Sequence, residues 1–181
     1  DAYVSYDAGD GITVTGGKFL SWLGFEAFDI PNMTQISYAN GDFLGAIPGY
    51  HSGVKVNYSA GAWSAGVAIL DSVYGGLEGD GELRGNMGAE AFLTYTGVEK
   101  LTIFAGVAQQ TEGSATDNIP DSGAQEEATV FNIWASYQLT PAVQIAAEYA
   151  AKESYFADGY NWPLFASFAT SDKVTLVTRV S

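Results

Sequence analysis

Apolar and polar residues alternate with a period of two along most of this chain, which is the spacing of strands and not of helices. Val54, Val56 and Tyr58 fall on one side of their segment, and Lys55, Asn57 and Ser59 on the other. Further on, Phe131, Ile133, Ala135, Tyr137 and Leu139 oppose Asn132, Trp134, Ser136 and Gln138. Val143, Ile145, Ala147 and Tyr149 oppose Gln144, Ala146 and Glu148. Near the end, Val174, Leu176, Thr178 and Val180 oppose Lys173, Thr175, Val177 and Arg179. The pattern predicts about ten strands. They cover 2–7, 11–20, 52–60, 63–75, 87–96, 101–112, 128–139, 143–155, 161–169 and 173–181.

The connections between these strands alternate in length. Short ones fall at 9–11, 60–62, 97–100, 140–142 and 171–172, and are built of turn formers. Long ones cover 21–51, 76–86, 113–127 and 156–160, and are polar, acidic and glycine-rich. An up-and-down barrel in an outer membrane has this asymmetry, with short periplasmic turns and longer outer loops. Tyr6, Tyr58, Trp63, Tyr95 and Tyr137 all lie within a few residues of a short turn. Those that can be phased fall mainly on the apolar face, where an interfacial aromatic girdle belongs. The fold expected is therefore all-β: a single antiparallel transmembrane β-barrel domain over 1–181. The direction of the first and last strands puts both termini on the outer side. The chain is accordingly expected to be an internal segment of a larger barrel, with a strand before Asp1 and another after Ser181.

Composition narrows the choice further. Hydrophobic residues make up 47%, yet mean hydropathy is only +0.04. Apolar residues are spread out, and none of the runs approaches the roughly 18–20 residues of a membrane-crossing helix. Glycine (22) and the aromatics Tyr (11) and Phe (10) suit strands and tight turns. Cysteine is absent, so neither disulfides nor thiolate metal sites can form. A net charge of −14 with seven basic residues argues against a nucleic-acid partner.

The segment Gly16-Gly-Lys-Phe-Leu-Ser-Trp-Leu-Gly-Phe-Glu26 is followed by Pro31-Asn32, Ser37-Tyr38, Phe43, Pro48 and His51-Ser-Gly-Val54. This stretch resembles the β-barrel porin-2 (OmpL-like) family, with Phe25 where a Tyr is usual and Ser52 where a Thr is usual. Ser171-Asp-Lys-Val-Thr-Leu-Val-Thr-Arg179 is similar to a hairpin strand that recurs in that family. The resemblance implies a porin of the bacterial outer membrane and carries no catalytic residues.

Candidate functional residues follow from the faces. Lys55, Glu90, Glu148, Lys152, Lys173 and Arg179 lie off the apolar face and are candidates for lining a pore. Facing lipid near the midplane, a charge of this kind would cost about 2–4 kcal/mol. The connection 21–51 carries Trp22, Phe25, Phe28, Ile30, Phe43, Leu44 and Ile47. So much apolar surface favours a loop folded inward as a constriction, with Glu26, Asp29 and Asp42 near it. The other reading packs it over the rim or against a partner subunit. Glu78, Asp80 and Glu82, and Asp117, Asp121, Glu126 and Glu127, make acidic loops. Their spacing does not match an EF-hand, and they read as a solvated, cation-attracting mouth.

Catalysis has little to work with. His51 is the single histidine, and its neighbour Ser52 points to the opposite face of a strand. Glu90 and Glu148 could face each other as a glycosidase pair, but nothing in the sequence sets their separation. The expectation is a passive channel for ions and small polar solutes, with no catalytic, cofactor or metal site. Its partners are outer-membrane lipid and, as candidates, a second copy or a neighbouring outer-membrane protein. The alternative is a structural or surface-interaction barrel with a plugged lumen.

Overall fold

A computed structural model describes residues 2–26, 47–73, 87–110, 127–154 and 158–181. The strands are β1 (Ala2–Gly9), β2 (Ile12–Leu20), β3 (Tyr50–Ala60), β4 (Trp63–Leu70), β5 (Gly88–Tyr95) and β6 (Leu101–Gln110). They continue as β7 (Ala128–Thr140), β8 (Val143–Ser154), β9 (Gly159–Asn161), β10 (Leu164–Ser171) and β11 (Val174–Val180). All belong to one antiparallel sheet, and from β1 to β8 each strand pairs with its neighbour in sequence. No helix occurs among the described residues.

The expected strand over 161–169 is present but interrupted. Asn161 pairs with Ala150 and Leu164 with Ala147, in one continuous register along β8. Trp162 and Pro163 sit between, and proline has no N–H to give to a ladder. The Pro163 carbonyl still accepts the Glu148 N–H at 3.0 Å. β9 and β10 are thus one strand with a proline gap. β4 ends at Leu70, short of the expected 75. There the Asp71 carboxylate accepts the N–H groups of Ser72 and Ser52, at 2.8 and 3.3 Å, and closes the ladder.

Short turns set the hairpins. Gly9, Asp10 and Gly11 all have positive φ (86°, 50° and 80°), a conformation that glycine reaches without cost. A side chain at Gly11 would also strike the Ser59 carbonyl of β3.

The two faces of the sheet separate as the alternation predicts. On β4, Val67 and Ile69 are 62% and 60% exposed, while Ala68 and Leu70 are 5% and 0%. The exposed face carries Val54, Val56, Leu93, Ile133 and Ile145 through its middle. Near the short turns, Tyr6, Tyr58, Trp63 and Tyr137 stand exposed on that face, and Trp63 packs on Tyr95 at 4.4 Å. A second aromatic group lies toward the long connections. There Tyr149 packs on Trp162 at 4.3 Å, with Phe131 and Tyr160 beside it. An aliphatic band bracketed by aromatics is the pattern of the outer surface in membrane barrels.

The other face is an interior. Arg179 on β11 reaches Glu26, which follows β2, so the sheet curls until its far strands face each other. Among the described residues no ladder joins β1 to β11, and the sheet has two edges.

Candidate functional site: a strap across the interior

At the end of β2 the chain leaves the sheet and turns inward. The Ser21 N–H still bonds the Gly49 carbonyl at 2.8 Å, which holds the two ends of the long connection together. Residues 21–26 then cross the interior as a strap. Its backbone N–H groups have no strand partners, and buried donors must be satisfied. Side chains on the inward faces of distant strands supply acceptors for Trp22, Gly24 and Phe25, while the Ser21 hydroxyl oxygen accepts the Leu23 N–H at 3.0 Å.

Glu90 on β5 is the first. Its carboxylate accepts the Trp22 N–H at 2.6 Å and the Ser21 hydroxyl at 2.9 and 3.0 Å. Asn132 on β7 accepts the Gly24 N–H at 3.0 Å. Glu148 on β8 accepts the Phe25 N–H at 3.2 Å, and also the Asn132 side-chain amide at 2.6 Å. Glu26 closes the series with a two-pronged pair to Arg179 on β11, at 2.7 and 2.8 Å. The strap is therefore tied in order to β5, β7, β8 and β11. Hydrogen bonds to charged groups are worth about 1.5–3 kcal/mol each, so this set is strong for so short a segment.

Apolar contacts seat it. Phe19, Leu23, Ile47, Leu70, Val73, Phe104 and Val130 form a buried cluster, with Trp22, Phe92 and Trp134 packed against it. The sheet makes room with glycine. A side chain at Gly106 would collide with Leu23, and one at Gly66 with Trp22 and Phe92. Within the strap, Gly24 has φ 95°, which lets the chain bend between the Asn132 and Glu148 contacts. Phe25 packs on Trp134 at 5.3 Å and on Phe165 at 4.8 Å.

His51 belongs to the same network. Its Nε2 lies 2.9 Å from Glu90 and its Nδ1 3.2 Å from the Ser72 carbonyl. Both ring nitrogens face oxygen acceptors, so a proton must lie on the His51–Glu90 line. Ser21, Glu90 and His51 thus meet, but the carboxylate sits in the middle. A nucleophilic triad needs the imidazole next to the hydroxyl. Here Ser21 donates to Glu90 and the His51 ring bonds the same carboxylate, so hydroxyl and imidazole are not paired with each other.

The residues singled out from sequence fare differently. Lys55, Glu90, Glu148, Lys152 and Arg179 do stand on the inward face. Glu90 and Glu148 are only 2% and 3% exposed and hold the strap, so they do not line open water. Lys55 is half-buried, with its ammonium 4.2 Å above the Phe19 ring and 5.0 Å above Trp22. Lys173 is displaced from the expected position: it lies in the exposed β10–β11 turn, where its N–H bonds Ser171. Turn formers end β10 before that lysine can enter the wall. Glu26 lies on the strap and pairs with Arg179. Asp29 and Asp42 lie outside the described residues, as do most of the acidic loop residues.

Asn132 was not among the candidates, because an inward asparagine in a strand carries no signal of its own. The useful signal was collective. Glu90, Asn132 and Glu148 are inward acceptors with no basic residue opposite them on the paired strands. Acceptors in that setting call for donors from outside the sheet.

The family model described as "Putative beta-barrel porin-2, OmpL-like" matches residues 1–180. The chain belongs to this family. Membership extends the resemblance from the motifs around Gly16–Val54 to the whole length, and agrees with the meander and the two-faced sheet. No curated protein matches the chain. Within a porin-2 chain, the motif that carried the resemblance has a structural meaning. Gly16–Glu26 is the end of β2 together with the strap, and His51 is one of the groups that hold Glu90.

Proposed function

We propose that this chain builds the wall of a diffusion pore in the bacterial outer membrane, narrowed from within by the connection 21–51. The observation that carries the reading is the strap, which enters the interior and is tied to four separate strands. Ions and small polar solutes would pass beside it, down their gradients, with no cofactor and no chemical step. The acidic connections and a net charge of −14 favour cations at the mouth. Among the described residues β1 and β11 each pair on one side only, and in hydrocarbon such edges need hydrogen-bond partners.

Planar-bilayer recording on the intact protein tests it. Steady conductance is expected, with a reversal potential displaced toward cation selectivity under a salt gradient. A protein that inserts and passes no current defeats the pore, and a displacement of opposite sign defeats the cation preference alone.

One observation favours a second reading, a plugged barrel that serves as a structural or surface-interaction element. The interior beside the strap is filled: Leu70, Val130 and Asn132 are each 0% exposed. Insertion without conductance would support that reading, and the outward loops would then be the working surface.

A further inference from the structure

We infer that Glu90 and Glu148 are positioning residues that clip the strap and thereby fix the bore, and are not charges that select ions. The inference rests on the pore reading for its conductance arm, but its structural arm is independent of that reading.

Three observations converge on it. First, both carboxylates are buried, and the bonds described for them run to the strap and to the side chains that frame it. A carboxylate that selects ions must meet water and the permeant ion. Second, what they grip is backbone. Glu90 takes the Trp22 N–H beside the Ser21 hydroxyl, and Glu148 takes the Phe25 N–H, so each grip includes a backbone donor of the strap. Third, the grip is double-ended. His51 holds Glu90 from β3, and Asn132 bridges Glu148 to Gly24. Each clip is thus oriented by a second group that is not part of the strap. Gly66 and Gly106 complete the seat by leaving room for Trp22 and Leu23.

The chemistry of the clip suggests how to separate the two roles. Gln in place of Glu removes the charge but keeps a carbonyl oxygen for the strap N–H, and its amide can face His51. Leu in place of Glu removes both charge and acceptor at similar size. A clip is therefore retained by Gln and lost with Leu, whereas a selectivity charge is lost equally with either.

The experiment uses the intact protein with Leu23→Cys added. These 181 residues hold no cysteine, and Leu23 is 5% exposed, so among them this thiol reports the strap alone. In the wild-type background it should resist a soluble maleimide. The pair Glu90→Leu with Glu148→Leu should make it react, and should raise single-channel conductance about twofold or more as the bore widens. The pair Glu90→Gln with Glu148→Gln should rescue both protection and the narrow bore. If the Leu pair does not fold, Gly106→Leu fills the Leu23 seat with the carboxylates intact; in an otherwise wild-type chain it should raise conductance in the same way. The inference is overturned if Gln and Leu pairs behave alike, with the reversal potential displaced and conductance unchanged. It is also overturned if the thiol stays protected in the folded Leu pair. A wild-type protein that passes no current removes the pore reading, while the labelling pattern still decides whether the clips exist.

Discussion

The outward and inward faces of the same strands are built on opposite principles. The outward face of β4 is Trp63, Ala65, Val67 and Ile69, of which Trp63, Val67 and Ile69 are exposed and Trp63 packs on Tyr95. Its inward face is Ser64, Gly66, Ala68 and Leu70, and there the choice at each position answers to a particular neighbour. Gly66 exists beside Trp22 and Phe92, and Leu70 has no exposed surface left. On the reading proposed above, the outward face needs only a class of residue, because in hydrocarbon any apolar group would satisfy it. The inward face needs shapes and hydrogen bonds, because its solvent is another part of the protein. Tolerance to substitution should therefore divide by face.

Four variants test that division, each read by denaturant unfolding of the protein reconstituted in lipid vesicles. The largest effect is expected from charge on the tolerant face. Val67→Arg near the middle of β4 should cost about 2–4 kcal/mol, and a loss well under 1 kcal/mol would mean that this face does not meet hydrocarbon. Next comes overpacking on the demanding face. Gly106→Leu should cost about 1–3 kcal/mol by forcing Leu23 from its seat, and no loss at all would remove the socket from the account. Smaller again is Ser21→Ala, expected to cost about 1 kcal/mol, since Glu90 keeps its bonds from Trp22 and His51. A much larger loss would show that the hydroxyl, not the backbone, carries the grip. The smallest effect belongs to Val56→Leu on the outward face of β3, at well under about 1 kcal/mol. A large cost there would break the comparison, because it would give the outer face a specific partner.

Much of the fold was legible before the structure. Phase alone assigned Val54, Val56, Ile133 and Ile145 outward and Lys55, Asn132 and Glu148 inward, because pleat parity is local. The turn-side aromatics were legible because each sits beside a recognisable hairpin turn. The aromatic group at the other end was not. Trp162 adjoins Pro163, and the proline gap between β9 and β10 hides the phase that would have placed it. Tyr149 was phased, but its partner was not, so no pair could be seen.

The candidate site was legible in part. Apolar side chains such as Trp22 favoured an inward start to the long connection, and residues 21–26 do run inward. Its attachments could not be expected. Glu90 meets Ser21 across 69 positions of sequence, Asn132 meets Gly24 across 108, and Arg179 meets Glu26 across 153. The same reason explains why Glu90 and Glu148 were read as pore-lining charges. A sequence gives the face on which a carboxylate stands, but not whether water or backbone stands opposite it.

The sequence by itself thus determined the strand order, the outward-facing apolar residues and the uneven connections. Each of these depends on parity and on turns a few residues long. Only the tertiary structure decided what fills the interior. That outcome depends on how far the sheet curls, and the curl brings β5, β7, β8 and β11 within reach of one strap. No local pattern can encode a meeting of that kind, because each participant is an ordinary inward residue until the others arrive.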